Sequence, residues 1–408
     1  VFGSYSWSGY EAALNKIIDA WIEIQKGKGV TVEVERQYGS WDEYWGKLQT
    51  QLAAGTPPDI GIADYGRVVS YARDGVILNI EEQVNLSGFS MDKMMPAALA
   101  QYRWKEGDFD SGNPEGDLYG LPADAQPQVM VYNKKMFDEA GVAYPTDDWT
   151  WDDMLEAAKK LTKADQSQYG FFLSPGLMWR GIWVNSAGGS FHTPDYKKST
   201  INSAETKEAF QWLWDAIWVH KVSPLPPAPN SQAPNPFLSR QVAMTIDGVW
   251  WLTDFANGLE PGEWDTCMFP KHPKTGKRTT TVEADGFWIF KNAKEKDLAF
   301  DLLTFFCSED GQKRFDAEGY LIPGNHADVA NAWYAKTPPD NKKKILENIN
   351  QDSVKVDITY YQAATVMSVV DPIWMAAFYD GGDLGVALEA SEAAMNAELD
   401  KAWASFTG

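Results

Sequence analysis

The chain has 408 residues, of which 44% are hydrophobic and 23% charged, enough to bury two separate cores. Its formal charge is −21, from 57 Asp plus Glu against 36 Lys plus Arg, so its surface repels phosphate backbones and anionic lipid headgroups, and nucleic acid and peripheral membrane roles are excluded as expectations. No run approaches the roughly 18 apolar residues that span a bilayer, and the opening at Val1 reads as a mature chain whose export signal is not shown.

In chain order, Phe2 to Trp7 reads as a strand, followed by a helix with Leu14, Ile17, Ile18 and Trp21 on one stripe up to Gly27 and Gly29. Val30 to Glu35 alternates as a second strand. Ser40 and Glu43 form a capping box for a helix with Trp41, Trp45, Leu48 and Leu52 on its apolar face, and Asp59 to Ala63 is the third strand. Strands and helices alternating at this spacing predict a mostly parallel α/β sheet, whose ligands bind beyond the carboxyl ends of the strands, where Trp7, Trp41 and Asp64 stand.

A loop from Glu106 to Gly116 precedes a change of domain near Asp124. The second block has a strand at Val129 to Asn133 and a helix capped at Thr150, and further along the chain Val242 to Ile246 and Phe287 to Phe290 read as strands. Pro224 to Pro236 holds six prolines and reads as an extended surface connection. Trp212, Trp214 and Trp218 ride one helix with Phe210, Leu213 and Ile217 and are expected in its core packing.

Motifs of catalysis and cofactor binding are missing: there is no GxSxG, GxxxxGK[ST] or HExxH, and Gly27-Lys28-Gly29 lacks the third glycine of a dinucleotide loop. No cofactor and no metal are expected. Asp108 and Asp110 lie in a Gly-rich loop, but Asn113 stands where a calcium loop needs glycine and no Glu follows at its twelfth place. Cys267 and Cys307 read as two unpaired buried thiols, with a single disulfide as the alternative.

Several segments in order resemble the family 1 extracellular solute-binding proteins of ABC importers, the group that includes maltose-binding protein. They are Ala53-Ala54-Gly55-Thr56-Pro57-Pro58-Asp59-Ile60, Asp117-Leu118-Tyr119-Gly120-Leu121-Pro122, Val131 to Phe137 with Ala140-Gly141-Val142, Trp149 to Met154, Gln241 to Gly248, and Ala299 to Cys307 leading into Leu321-Ile322-Pro323. Two departures stand out: a single Gly286 follows Asp285 where many relatives carry two glycines, and the proline-rich stretch is an insertion.

The resemblance implies a periplasmic-binding-protein-like fold, two α/β lobes around a ligand cleft joined by crossing hinge segments. The first lobe is expected to hold 1–124 and 279–321, the second 125–278 and 322–408. It also implies an extracytoplasmic monomer, periplasmic or lipid-anchored, that binds a carbohydrate by hinge closure, delivers it to a membrane permease and is not an enzyme.

Stacked aromatic rings and fixed polar groups suit a sugar. The implied contacts are Trp7, Trp41, Asp64 and Tyr65, with Arg67 as a weaker candidate, then Asp124, Gln126, Asp285 and Gly286 at the crossing. From the second lobe come Trp179, Trp183, Asn185, Gly188, Gly189, Asp247, Trp250, Trp251 and Trp374. Two alternatives stay open: a carbohydrate-active enzyme using a pair such as Asp64 and Asp247, or the same fold holding an amine or amino acid in an aromatic and acidic box.

Overall fold

The computed structural model describes residues 1–6, 9–173, 177–226, 235–318, 324–354 and 359–408, with the backbone alone for 177–180 and 350–354. The chain divides into two compact units. The first comprises Val1–Gln126, Glu283–Trp333 and Thr359–Tyr361, and the second Pro127–Val282, Tyr334–Ile358 and Gln362–Gly408.

In the first unit, a five-stranded sheet runs in the order Arg36–Gly39, Phe2–Tyr5, Ile60–Ala63, Gly286–Ile289, Leu121–Pro122. The first three strands are parallel. Gly286–Ile289 enters antiparallel between Ile60–Ala63 and Leu121–Pro122. Helix Tyr10–Gly27 buries Leu14, Ile17, Ile18 and Trp21, as their spacing predicts. Helix Lys296–Cys307 contributes Phe306, whose ring stacks on Phe287 at 4.3 Å and lies 5.6 Å from Phe2. Helix Lys296–Cys307 and the sheet thus share an aromatic core.

The second strand departs from expectation. The alternating residues Val30 to Glu35 are outside any strand, and pairing starts at Arg36. The partner sets this limit: Phe2–Tyr5 offers four residues in parallel register with Arg36–Gly39, and alternation without a partner makes no ladder. The Ser40 cap forms as the sequence predicts, with the Ser40 N–H donating to Glu43 Oε2 at 2.8 Å ahead of helix Trp41–Ala53.

Strand Gln126–Asn133, which belongs to the second unit from Pro127 onward, is the central strand there, beginning three residues before its predicted start and buried along all eight positions. It pairs antiparallel with Met244–Gly248 and with Trp264–Cys267. Phe172–Leu173 lies parallel to Met244–Gly248. The register Tyr132↔Met244 to Gln128↔Gly248 shifts the predicted strand two residues onward. Asp247 and Gly248 therefore end the strand.

Helix Trp151–Leu161 carries the expected cap, the Thr150 N–H donating to Asp153 Oδ2 at 2.9 Å. Helix Ala204–Trp218 buries Phe210, Leu213 and Ile217. Its three tryptophans are half-buried, and the Nε1 groups of Trp214 and Trp218 donate to the Ala377 and Phe378 carbonyls of helix Ala363–Asp380 at 3.1 and 3.0 Å. They clamp two helices together. Of the proline-rich stretch, 227–234 lie outside the described residues.

Cys267 and Cys307 belong to different units, and both are buried free thiols. Burial pushes each thiol above its ordinary range. No described helix is long and apolar enough to cross a membrane.

A Cβ on Gly286 would stand 2.1 Å from the Leu121 carbonyl oxygen, inside contact distance of backbone that has little freedom to move. Gly286→Ala should cost about 1–3 kcal/mol of stability, and a scanning-calorimetry midpoint equal to that of the parent would show that the two strands can part without penalty.

Candidate ligand-binding site

The carboxyl ends of the three parallel strands in the first unit, and the start of the antiparallel one, deliver side chains to one end of the sheet. Tyr5 ends its strand, Trp41 opens the helix after Arg36–Gly39, Asp64 and Tyr65 follow Ile60–Ala63, and Asp285 precedes Gly286. Asp124 and Gln126 follow Leu121–Pro122.

These groups are bonded to one another. Tyr5 Oη donates to Asp285 Oδ2 at 2.5 Å. Gln126 Nε2 donates to Asp124 Oδ2 and to Asp285 Oδ2, each at 2.9 Å. The Asp285 N–H donates to Asp124 Oδ1 at 2.9 Å. Arg67 donates from Nη1 to Asp64 Oδ1 at 2.7 Å and lies over the Trp45 ring at 3.9 Å and 5.6 Å from that of Trp41. Trp41 packs one side on Tyr5, with ring centroids 4.7 Å apart, yet remains 45% exposed. Such an aromatic face beside fixed acceptors can stack on an apolar ring face while the acceptors take hydroxyl donors.

Charge in this cluster is unbalanced. Asp64, Asp124, Glu283 and Asp285 are all buried, and the one guanidinium among them, Arg67, is bound to Asp64. Burial, reinforced by Asp285, holds Asp124 well above the usual carboxylate range. Burial pushes Asp285 up to about 7 against the pull of the Tyr5 hydrogen bond, and Asp64 adds to the rise. Tyr65 is hydrogen-bonded to Glu283, and burial followed by that carboxylate raises its phenol. Among the described residues, no group of three or more His, Cys, Asp or Glu could hold a metal ion.

In the second unit, Asp247 is buried, accepting from Asn235 Nδ2 at 2.8 Å and from the Gly248 N–H at 2.9 Å, and burial pushes it up to about 7. The 3-10 turn Val249–Trp251 follows, and the Trp250 indole lies over Gly248, so close that a Cβ there would meet its ring at 2.2 Å. Trp250 and Trp251 are half-buried, and Trp251 stacks on Phe255 at 6.2 Å. Asn185 is half-buried on helix Leu177–Ala187, and its amide has no hydrogen-bond partner among the described residues. Gly188 has φ 91° at the end of that helix, and a Cβ on Gly189 would meet the Thr206 hydroxyl at 2.8 Å, so both glycines serve the helix end.

Two expectations need correction. Trp374 is fully buried, edge-on to Phe210 at 5.2 Å and Phe378 at 5.6 Å, with Nε1 donating to Asp371, so it packs the helices of the second unit. Trp183 is likewise 2% exposed, stacked on Trp212 at 4.8 Å and edge-on to Trp151 at 5.0 Å. Trp7 and the Trp179 side chain lie outside the described residues.

Sequence reasoning missed Tyr5, Trp45 and Glu283. The signal for Tyr5 was its place as the last paired residue of the first strand, obscured by extending that strand to Trp7.

A pH dependence follows. The folded values of Asp285 and Asp247, about 7 each, lie above the roughly 3.9 of an unfolded Asp. Folding favours their protonated forms, so this stabilisation is complete below about pH 4 and is lost as pH rises to about 7. The melting temperature should fall between pH 5 and pH 8, and Asp285→Asn with Asp247→Asn should flatten the slope. A parent protein whose melting temperature climbs over that interval would contradict it.

Comparison with known proteins agrees with this architecture. A family profile of the bacterial extracellular solute-binding proteins matches residues 22–343. An arabinooligosaccharide-binding protein of Halalkalibacterium halodurans is 24% identical over 208 residues, 50% of this chain and 46% of its own. A sn-glycerol-3-phosphate-binding periplasmic protein of Brucella melitensis is 28% identical over 341 residues, 77% of this chain and 73% of its own. An ABC substrate-binding protein of Listeria monocytogenes, solved in complex with cycloalternan, superposes with a TM-score of 0.85 at 25% identity, covering 98% of each chain. With the family profile matching well over half of its length, the chain belongs to the bacterial extracellular solute-binding proteins.

Proposed function

We propose that this protein captures a neutral carbohydrate outside the cytoplasmic membrane and hands it to the permease of an ABC importer, performing no chemistry of its own. In this reading the two compact units act as lobes that close on the ligand, and the ligand's greater affinity for the closed form drives the change. It acts as a monomer without cofactor.

Family membership and the cycloalternan complex of the Listeria relative support this reading. The observation that carries it is the exposed face of Trp41 beside the Asp64–Arg67 pair and the Asp285 carboxyl. A sugar offers an apolar ring face to the indole and hydroxyl donors to the carboxyls. The Brucella relative is named for a phosphorylated ligand, but four buried carboxyls with one guanidinium already engaged would repel a phosphate here. The contacts we propose for the ligand are Trp41, Asp64, Tyr65, Asp124, Gln126, Asp285 and Gly286 from the first stretch of the site, with Asn185, Asp247, Trp250 and Trp251 as the contacts proposed from the second unit.

Isothermal titration against neutral oligosaccharides, sn-glycerol 3-phosphate and a polyamine tests the reading, with binding expected for the first alone. Binding of the polyamine alone would favour the amine alternative, and product released from a bound oligosaccharide would favour an enzyme. Trp41→Ala and Trp250→Ala should each remove a stacking platform, a loss of about 1–3 kcal/mol by analogy with bases on aromatic side chains, or roughly tenfold to hundredfold in affinity. Unchanged affinity with a large fall in melting temperature would make either one a packing residue instead.

A further inference from the structure

Asp124 and Asp285 stand on the segments that flank the unit boundaries at Gln126 and Glu283, and they share a single donor, Gln126 Nε2. Both oxygens of Asp124 are taken, one by Gln126 and one by the Asp285 N–H. Asp285 Oδ2 is taken by Tyr5 and Gln126, while its Oδ1 has no hydrogen-bond partner among the described residues.

Among the described residues, the titratable groups facing the pair are Tyr5, Tyr10, Tyr65, Tyr102, Asp64, Glu283, Asp316 and Cys307, every one of them neutral or negative at neutral pH, together with Arg67. The Arg67 guanidinium is committed to Asp64. Two carboxylates in such contact, buried and without a cation of their own, cannot both stay ionised, because mutual repulsion adds to the cost of desolvation.

We propose that Asp124 and Asp285 share one proton that exchanges with solvent around neutral pH, and that capture of a hydroxyl-rich ligand at Asp285 Oδ1 expels it, so that binding weakens as the surroundings acidify. A ligand hydroxyl donating to Oδ1 needs a lone pair there. The carboxyl O–H bond breaks, its electron pair stays on the oxygen, and the proton passes to solvent buffer. The proposal rests on the carbohydrate reading for the identity of the ligand, but not for the proton itself. Burial, which holds Asp124 high and puts Asp285 near 7, places the exchange in the physiological range.

Two measurements on the full chain test it. Carbon-13 spectra of aspartate carboxyls, followed from pH 5 to pH 9 without ligand, should show a coupled pair losing one proton, with the transition absent in Asp285→Asn. Both carboxyls ionised throughout that range would overturn the proposal. Titration calorimetry with cycloalternan and with maltotriose at pH 7, in phosphate and in Tris, should show roughly half a proton released per ligand bound. Affinity should drop about fivefold from pH 7 to pH 6, and Asp285→Asn should abolish that dependence. Heats independent of the buffer, or proton uptake, would overturn the linkage. Failure of both sugars to bind would count against the carbohydrate reading, and the ligand-free spectra would then decide the shared proton by themselves.

Discussion

The arrangement of the first unit turns on the absence of a side chain at Gly286. This residue faces Ala63 on one flank and Pro122 on the other, and any Cβ would collide with the Leu121 carbonyl. A bare position lets an antiparallel strand enter between two neighbours from earlier in the chain. The residue before it is thereby delivered to the carboxyl ends of the parallel strands, where Asp285 reaches Tyr5, Gln126 and Asp124. Tyr102 ties the same end together, its hydroxyl lying 3.2 Å from the Ala63 carbonyl and 2.7 Å from that of Ala284. A backbone requirement, met by one glycine, therefore gathers acidic groups from three separate stretches of sequence.

Gathering them has an electrostatic cost. Burying an unpaired carboxylate is expensive, and proteins ordinarily meet it with a cation, a dense set of donors or a proton. Asp64 takes the first route through Arg67, whose guanidinium lies over the Trp45 ring. Asp124 relies on an amide and a backbone N–H, and Asp285 on an amide and a phenol. An array of acceptors fixed in advance suits a ligand that brings donors, and it disfavours one that brings negative charge.

Much of the fold was legible because local rules and tertiary packing agree. The stripe Leu14, Ile17, Ile18, Trp21 and the caps at Ser40 and Thr150 are set within a few residues, and they appear where the sequence places them. Strand limits were less legible, since a strand ends where its partner ends. The pattern Val30 to Glu35 alternates without a partner, and Met244–Gly248 is positioned by its register with Gln128 to Tyr132. The same cause hid part of the site: ending the first strand at Tyr5 puts a phenol next to Asp285, a contact 280 residues away in sequence that no local pattern encodes.

The tryptophans show why abundance is a weak guide to recognition. Nineteen of them invite a sugar-binding reading, yet a ring serves a ligand only if a face is left uncovered. Trp374, Trp183 and Trp151 are covered by other rings, and Trp214 and Trp218 hold a neighbouring helix through their N–H groups. Trp41 differs because it opens its helix at a strand end and stays largely exposed, while Tyr44 and Trp45 behind it are buried, the latter edge-on to Trp288 of the sheet. Trp250 follows the same logic after Met244–Gly248: the strand ends, a 3-10 turn begins, and the indole rests on a glycine with part of its surface open. Position at the end of a strand leaves part of the Trp41 and Trp250 rings open to solvent, where residue type and helical spacing alone do not distinguish them from the covered rings of Trp374, Trp183 and Trp151.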